Sequence, residues 1–539
     1  ANAFFGAAVA SAGDVNGDGY SDVIIGAPRF DEGASFDEGK AFVYHGSSAG
    51  LSLTPNSTLD DVNQTDAFFG NCVASAGDVN GDGYSDVIIG AYLYNDGFAD
   101  EGAAFVYHGS AAGLLATPAS TRADANQANA KFGISVACAG DVNGDGYSDV
   151  IIGASEFNDG PNIREGRAYV YYGSVTGISV SPISTLDDAD QIFAYFGFSV
   201  ASAGDVNADG FSDVVIGAYS YDEVPSYTND GKVYVYHGSA IGLSASPINI
   251  LDGPNENNAN LGLSVACAGD VNGDGYSDII AGAPYLDDGG SFDEGAAFIY
   301  FGSALGSSAL PDITLRDANQ AYAEFGISVA SAGDVNGDGF SDVIIGADLY
   351  DDTNTNEGVC FIYYGNAAGI MTSPVCLLDD ANQDDAGFGS SVASAGDVNG
   401  DGYSDVIIGA YYYTDGVNNQ EGRAFVYHGS ATGLAASPNS SLDDADQALS
   451  YFGISVASAG DVNADGYSDV IIGAYEFDDG TNTNEGRAFV YHGSATGLNT
   501  IPNNTPDDAD QMNARLGYSV ASAGDVNGDG YSDVIIGAY

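Results

Sequence analysis

Hydrophobic residues in this chain of 539 residues are grouped in short runs that recur from one end to the other. The first run is AAVASAGD at residues 7–14, and the β-branched run DVIIGA at residues 22–27 follows it. KAFVYHGS at residues 40–47 and a stretch at residues 56–61 complete one unit. Runs of this length between glycine-rich turns predict four strands, and no window shows the 3.6-residue period of a helix. The chain is therefore predicted to be all-β.

The run DVIIGA is apolar on consecutive positions and not on alternate ones, which predicts a strand covered on both faces of its sheet. The unit recurs at intervals of 63 to 65 residues, so the chain is one repeat assembly and not a string of unlike domains. Four-stranded sheets stacked face to face around an axis satisfy both observations, and this architecture is a β-propeller.

The prediction is a single domain over residues 1–539, with eight complete repeats of about 64 residues and a half repeat. The predicted units are residues 1–64, 65–127, 128–191, 192–256, 257–320, 321–383, 384–447 and 448–511, with the half unit at 512–539. Eight blades fit a closed ring, and the extra half unit leaves alternatives open. These are nine blades with one incomplete, a piece of a longer array, and a hairpin edge that another chain completes to build a filament.

The nonapeptide DVNGDGYSD at residues 14–22 connects the first two predicted strands, and each of the nine units carries a copy. Side-chain oxygens stand at positions 1, 3, 5 and 9, glycine at position 6, and an aromatic residue at position 7. Converging carboxylates and an amide, with the backbone carbonyl of position 7, are the ligands of a calcium loop, and glycine permits its sharp turn. An EF-hand would need Glu at position 12, where Ile25 stands in the first copy.

The sequence thus predicts about nine structural Ca²⁺ sites. The predicted ligands are Asp14, Asn16, Asp18, Tyr20 and Asp22; Asp78, Asn80, Asp82, Tyr84 and Asp86; Asp141, Asn143, Asp145, Tyr147 and Asp149; Asp205, Asn207, Asp209, Phe211 and Asp213; Asp270, Asn272, Asp274, Tyr276 and Asp278; Asp334, Asn336, Asp338, Phe340 and Asp342; Asp397, Asn399, Asp401, Tyr403 and Asp405; Asp461, Asn463, Asp465, Tyr467 and Asp469; Asp525, Asn527, Asp529, Tyr531 and Asp533.

The formal charge is −65, from 76 acidic and 11 basic side chains. Disorder is not predicted, because 45% of the residues are hydrophobic and they are clustered in strand-length runs. Such negative charge argues against nucleic acid and anionic membranes as partners. No apolar run approaches 18 residues, so no membrane span is predicted.

The five cysteines do not indicate a disulfide framework. Cys138 and Cys267 each replace the serine that stands three residues before the nonapeptide in other units, and Cys72 stands alone, so all three are predicted to be buried thiols. Cys360 and Cys376 fall on successive predicted strands of one unit, and the sequence leaves open whether they pair.

The unit is similar to the FG-GAP repeat of integrin α-subunit propellers and of many bacterial surface proteins. The opening Phe-Gly occurs as Phe5-Gly6, Phe69-Gly70, Phe132-Gly133, Phe196-Gly197, Phe325-Gly326, Phe388-Gly389 and Phe452-Gly453, and the later Gly-Ala-Pro as Gly26-Ala27-Pro28 and Gly282-Ala283-Pro284. Leu261-Gly262 and Leu516-Gly517 depart from Phe-Gly, and most copies carry Gly-Ala-Tyr. The resemblance implies a propeller that holds calcium in the hairpin between the first two strands of each blade. Integrin ligand-binding roles do not transfer, because integrin propellers carry the loop in only some blades.

An enzyme is not predicted. The five histidines occupy one position of the third strand, where Tyr172, Phe301 and Tyr364 stand in other units, so this is a packing position. The predicted function is an extracellular, calcium-stabilised propeller in adhesion or structural assembly at the cell surface. Its expected partners are proteins or glycans there, or copies of itself. The alternatives are a lectin-like propeller with one sugar site per blade and the non-catalytic propeller part of a larger secreted enzyme. Candidate contact sites are the variable loops at residues 220–232 and 252–262 and the tyrosines that follow Gly-Ala.

Overall fold

The structure is a computed structural model of the chain. It describes all residues except 1–7, 17–21, 31–35, 46–55, 60–63, 115–116, 188, 223–228, 245, 253–257, 288–291, 317–318, 353, 380, 417, 444–446, 464, 479–485, 504, 506–515, 525–532 and 539. Within the described part every regular element is a strand, which confirms the all-β prediction.

Nine antiparallel sheets follow one another along the chain, and we call them blades 1 to 9. Their first strands are β1 (Ala8–Gly13), β5 (Cys72–Gly77), β9 (Phe132–Gly140), β13 (Ser199–Gly204), β17 (Ser264–Gly269), β21 (Ser328–Gly333), β27 (Phe388–Gly396), β31 (Phe452–Gly460) and β34 (Leu516–Gly524). Their second strands are β2 (Asp22–Ala27), β6 (Asp86–Ala91), β10 (Asp149–Ala154), β14 (Asp213–Ala218), β18 (Asp278–Ala283), β22 (Asp342–Ala347), β28 (Asp405–Ala410), β32 (Asp469–Ala474) and β35 (Asp533–Ala538).

The third strands are β3 (Lys40–Tyr44), β7 (Ala103–Tyr107), β11 (Arg167–Tyr171), β15 (Lys232–Tyr236), β19 (Ala296–Tyr300), β23 (Val359–Tyr363), β29 (Arg423–Tyr427) and β33 (Arg487–Tyr491). The fourth are β4 (Ser57–Leu59), β8 (Ser120–Arg122), β12 (Ser184–Leu186), β16 (Asn249–Asp252), β20 (Ile313–Leu315), β26 (Cys376–Leu378) and β30 (Ser440–Leu442). A two-stranded hairpin, β24 (Gly365–Asn366) and β25 (Gly369–Ile370), lies in the turn of blade 6. Strands pair in sequence order within each blade.

The blades form a closed, propeller-like ring. Each first strand lies against the first strand of the next blade, and β34 of blade 9 lies against both β31 of blade 8 and β1 of blade 1. The ring therefore closes with nine blades, of which the described part of blade 9 has two strands. Among the alternatives that the sequence left open, these contacts favour nine blades around one ring.

Small residues of the first strands allow this close approach. Gly77 ends β5 with a φ of 72°, and a Cβ on it would lie 2.2 Å from Oγ of Ser148 in the next blade. Only glycine combines a positive φ with so little space. The first strands are thus crowded where neighbouring blades meet.

The hydrophobic core lies between the blades. All six residues of β6 are buried, which confirms the prediction of second strands covered on both faces. The Phe of the Phe-Gly pair packs on an aromatic residue of the third strand, as Phe69 does with Phe105 at a ring distance of 5.1 Å. Each cluster joins two neighbouring blades, so no blade buries its apolar faces alone.

A glutamine stands five residues before six of the seven Phe-Gly pairs, and it links the end of one blade to the next blade. Gln127 donates from Nε2 to the carbonyl of Asn158 at 2.8 Å and accepts the Asn158 N–H at 2.6 Å. The pairs with the same spacing are Gln64 with Asn95, Gln191 with Asp222, Gln320 with Asp351, Gln383 with Thr414, and Gln447 with Asp478. The glutamine amide both donates to and accepts from one backbone residue, as a neighbouring strand would. It thereby holds the loop between the second and third strands of the next blade.

We expect Gln127→Ala to lower the free energy of unfolding by about 1 kcal/mol, because two hydrogen bonds to the Asn158 backbone are lost at a half-buried position. Urea unfolding measures this change. Gln127→Glu is the matched control, since it keeps the acceptor and removes the donor, and its expected loss is smaller. Equal stability of the alanine variant and the parent would contradict the role of this contact.

The cysteines are all free thiols. The prediction of buried thiols is wrong for Cys267, which is exposed, and Cys72 and Cys138 are partly buried. In the register of β23 and β26, Cys360 lies opposite Leu378 and Cys376 lies opposite Ile362. The two sulfurs are therefore on diagonal positions two residues apart, and diagonal Cβ atoms are too distant for a disulfide. The pairing that the sequence left open is not formed.

Candidate metal centre

The nonapeptide loops that the structure describes lie at one end of the blades, each between the first and second strands. The structure describes the loops of blades 2 to 7 in full and that of blade 8 except residue 464. Among the predicted ligands, Asp18, Tyr20, Asp525, Asn527, Asp529 and Tyr531 lie outside the described residues.

In blade 2 the aspartate at position 1 organises the turn. Oδ1 of Asp78 accepts the N–H groups of Gly81 at 2.6 Å and Asp82 at 3.2 Å, and Oδ2 accepts that of Gly83 at 2.9 Å. Oδ1 of Asn80 accepts the Asp82 N–H at 2.9 Å. The residues at positions 1, 3 and 5 are thereby held around one short stretch of backbone. All of the accepting side-chain atoms are oxygens.

The same bonds recur in the other described loops. Asp141, Asp270, Asp334 and Asp397 accept the N–H groups of positions 4, 5 and 6 at 2.6–3.2 Å. In blade 4, Ala208 stands at position 4 in place of glycine with a φ of 53°. A positive φ is unfavourable for alanine. Blade 4 nevertheless keeps the same turn as the other loops.

The aspartate at position 9 fixes both ends of the loop. Asp86 is fully buried, and its Oδ2 accepts the N–H of Val79 at 2.9 Å while Oδ1 accepts that of Gly109 at 2.8 Å. Burial raises the pKa of Asp86 to about 7, and the two backbone hydrogen bonds oppose this rise. The equivalent aspartates of blades 3 to 8 have the same partners and a pKa of about 7. This residue joins the loop to the end of the third strand.

We expect Asp86→Ala to lower the free energy of unfolding by about 2–4 kcal/mol both with and without calcium, because two buried N–H groups lose their acceptor. Asp82→Ala is the matched control, because Asp82 is exposed and its loss is expected to matter only in calcium. Chemical unfolding of both variants in the two conditions measures the difference. A stable calcium-free Asp86→Ala protein would contradict the backbone role.

Neighbouring loops are bonded to one another. The N–H of Ser148, at position 8 in blade 3, donates to the carbonyl of Asp78 in blade 2 at 2.9 Å, and the Ser174 N–H donates to the Val79 carbonyl at 2.9 Å. A Cβ on Gly81 would lie 2.3 Å from the ring of Tyr147, so the aromatic residue at position 7 rests on the preceding loop. The loops therefore form a continuous hydrogen-bonded belt on one rim, from blade 1 to blade 8.

The structure does not bring all predicted ligands of one loop together. In the described part of the chain, no three Asp, Glu, His or Cys side chains meet in a group that could hold a metal ion. The turn gathers positions 1, 3 and 5, whereas position 9 is directed to the backbone of Val79 and Gly109. The donor set, made of carboxylate and amide oxygens, nevertheless has the chemistry that calcium prefers.

The side chain at the histidine position packs against the turn between the third and fourth strands of the next blade. A Cβ on Gly113 would lie 2.0 Å from the His45 ring, and one on Gly177 would lie 2.4 Å from His108. In blade 3, Tyr172 occupies this position and its hydroxyl accepts the Leu243 N–H at 2.7 Å. Burial lowers the pKa of His108, so the ring is neutral at physiological pH. These contacts agree with a packing role.

Sequence reasoning missed a row of buried glutamates, each directly before the glycine that precedes a third strand. Their side chains are at most 2% exposed, and they are Glu38, Glu101, Glu165, Glu294, Glu357 and Glu421. Glu165 accepts the Asp190 N–H at 2.7 Å, which ties two loops of one blade together. Burial raises the pKa of Glu101 and of Glu165 to about 7. These glutamates recur once in most of the 64-residue units, as the glutamines do, and this recurrence could have identified both sets in the sequence.

Nine segments of the chain match the family model of the FG-GAP repeat. They are residues 5–44, 72–107, 132–171, 196–236, 263–300, 325–362, 388–427, 452–491 and 516–539. The chain belongs to the FG-GAP repeat family. Each matched segment begins at or close to the first strand, and the resemblance inferred from Phe-Gly, Gly-Ala and the nonapeptide is confirmed.

The relatives of this FG-GAP chain include integrin α-subunits. Integrin alpha-7 of Homo sapiens is 37% identical over 155 residues, which cover 28% of this chain and 12% of that protein. Integrin alpha-4 of Xenopus laevis is 31% identical over 248 residues, with 46% and 22% covered. Integrin alpha-V of Gallus gallus is 32% identical over 220 residues, with 40% and 20% covered. The chain thus spans about an eighth to a fifth of the length of these relatives.

Two solved structures align with the chain at low sequence identity. The crystal structure of Saccharomyces cerevisiae Sqt1 aligns with a TM-score of 0.46 and 11% identity, covering 84% of this chain and 90% of that one. A structure of BBS1N in complex with ARL6DN aligns with a TM-score of 0.34 and 12% identity, covering 69% and 83%. These alignments carry no functional argument. No helix in the described part of the chain is long and apolar enough to cross a membrane.

Proposed function

We propose that this FG-GAP chain is an extracellular propeller that calcium stabilises and that acts in adhesion or structural assembly at the cell surface, without catalytic activity. The observation that carries the proposal is the belt of oxygen-rich loops, repeated in every unit and bonded from one blade to the next. Identical sites around a ring favour a structural role, because no single loop is special.

Calcium would be held by the side chains at positions 1, 3 and 5 and the carbonyl of position 7, with the buried aspartate at position 9 as the fifth predicted ligand. Each oxygen of Asp86 accepts one backbone hydrogen bond and keeps a second lone pair. The ion would offset two of the three negative charges of the carboxylates, which otherwise repel one another within nine residues. At roughly 1 mM calcium, a dissociation constant of about 10⁻⁴ to 10⁻³ M gives about 0.4–1.4 kcal/mol per site.

The rim opposite the loops is the proposed adhesive face. The residues before Phe-Gly meet the residues after Gly-Ala there, as in the stacked pair Tyr195 and Tyr219 at 5.5 Å and the pair Tyr451 and Tyr475 at 5.3 Å. Aromatic residues on a rigid scaffold suit contacts with proteins and glycans. The integrin α-subunits among the relatives support an adhesive role.

The experiment that tests the proposal is calcium titration of the dialysed full chain by isothermal calorimetry, followed by bead attachment. We expect about nine ions per chain, and calcium-dependent attachment of coated beads to cell surfaces or to one another. A chain that binds no calcium at millimolar concentration would overturn the calcium role. Attachment that is absent in saturating calcium would overturn the adhesive role alone.

A further inference from the structure

The turn between the third and fourth strands of blade 5 differs from the others at one buried position. In the other seven complete units a leucine or isoleucine follows the turn glycine, and these residues are Leu51, Leu114, Ile178, Leu243, Ile370, Leu434 and Leu498. All but the first lie in described parts of the chain, where they are buried in the clusters between blades. Blade 5 has Ser307 instead.

This replacement leaves space between blades 4 and 5. Ser307 is 3% exposed, and its Oγ has no hydrogen-bond partner. The hydrophobic cluster of these two blades contains no side chain from this turn, unlike its neighbours. A cavity of about 340 Å³ lies here, and Ser307, Asn249, Leu305 and Asp312 are among its lining residues.

A second departure supplies another polar group to the same cavity. Asn249 begins β16, where blades 1, 2, 3 and 7 have serine. Its Oδ1 is buried without a hydrogen-bond partner, and a Cβ on Gly306 would lie 2.7 Å from that atom. The Asn249 oxygen thus lies directly beneath the turn that carries Ser307. Leaving two such groups without partners is unfavourable unless a ligand or water bonds to them.

The cavity edge has a fixed acceptor and an apolar side chain. Oδ2 of Asp312 accepts the Phe301 N–H at 2.8 Å and the Ser308 hydroxyl at 2.7 Å, so the carboxylate is held in place. Leu305 beside it is 87% exposed. Sites for small organic ligands combine apolar surface with a few fixed polar groups that orient the ligand, and this cavity has both.

We propose that this cavity binds one residue of a neutral glycan. A sugar hydroxyl donates and accepts at once, so it can pair with Oδ1 of Asn249 and the hydroxyl of Ser307, and the C–H surface of the sugar can contact Leu305. The volume lies in the range of small-ligand pockets, about 300–1,000 Å³. The net charge of −65 disfavours anionic ligands. Among the described residues the site is single, because only the boundary of blades 4 and 5 combines Asn249 with Ser307, and it does not depend on the calcium proposal.

The test measures binding of a panel of neutral hexoses, N-acetylhexosamines and their oligomers to the full chain in calcium, by saturation-transfer NMR and calorimetry. Ser307→Leu restores the residue of the other blades and fills the cavity. We expect it to weaken sugar binding at least tenfold while the melting temperature stays equal or rises. Asn249→Ser, which also restores a residue of other blades, is expected to weaken binding in the same direction.

Ile241→Ala is the matched control, since Ile241 occupies the position of Leu305 in blade 4, is 95% exposed, and stands beside a filled site. Binding is expected to be unchanged in this variant. The proposal is overturned if no sugar of the panel binds, or if binding survives in Ser307→Leu. If that variant does not fold, undiminished binding in Asn249→Ser has the same consequence. Calcium titration of the same samples reports separately on the loops.

Discussion

Removal of calcium is expected to lower the melting temperature of the full chain by about 4–12 °C. Nine sites that each contribute about 0.4–1.4 kcal/mol at millimolar calcium give roughly 4–13 kcal/mol when the ring unfolds as one unit. For a chain of this length, about 1 kcal/mol corresponds to about 1 °C in melting temperature. Differential scanning calorimetry with calcium and after exhaustive dialysis measures the shift.

The belt of hydrogen bonds between loops makes this shift cooperative. Ser148 bonds to the backbone of Asp78 in the preceding loop, so disorder in one loop removes a partner from the next. Magnesium at the same concentration is the control, since it prefers octahedral geometry with several retained waters and should restore little of the stability. An unchanged melting temperature after calcium removal would contradict a structural role of the ions.

The repeat and the strands could be predicted from sequence because both are local signals. The run DVIIGA specifies a doubly covered strand, and the 64-residue interval specifies copies of one unit. Closure of the ring could not be predicted in this way, because the contact of β34 with β1 joins the two ends of the sequence. Nothing in the pattern of one unit determines how many units complete a circle.

In the candidate metal centre, too, local features could be predicted from the sequence and contacts between distant residues could not. The positions of Asp78, Asn80 and Asp82 in the turn follow from the motif itself. The hydrogen bond that the Gly109 N–H donates to Asp86 depends on the end of the third strand, 23 residues away. Likewise, Gln127 had no evident role in the sequence, because its partner belongs to the next blade. Contacts between blades therefore cannot be predicted from the sequence of a single unit.

Acidification is expected to stabilise the calcium-free protein between about pH 7 and pH 4. The buried aspartates at position 9, such as Asp86, have a folded pKa of about 7, above the ordinary value of 3.8 that applies to the unfolded chain. Between these values the folded state holds protons that the unfolded state releases, so stability falls as the pH rises through this window. Above pH 7 the contribution is constant. The buried Glu101 and Glu165 act in the same direction.

Calcium is expected to reverse this dependence, because a bound ion requires the ionised carboxylates and competes with protons. The melting temperature in millimolar calcium should therefore exceed that of the calcium-free protein most at pH 7.5 and least at pH 5.5. Calorimetry at both values measures this, with calcium removed by dialysis because chelators lose affinity in acid. Asp86→Asn, which cannot titrate, should show a smaller slope than the parent. A calcium-free melting temperature that rises from pH 5.5 to 7.5 would contradict the burial of these carboxyl groups as the dominant cause.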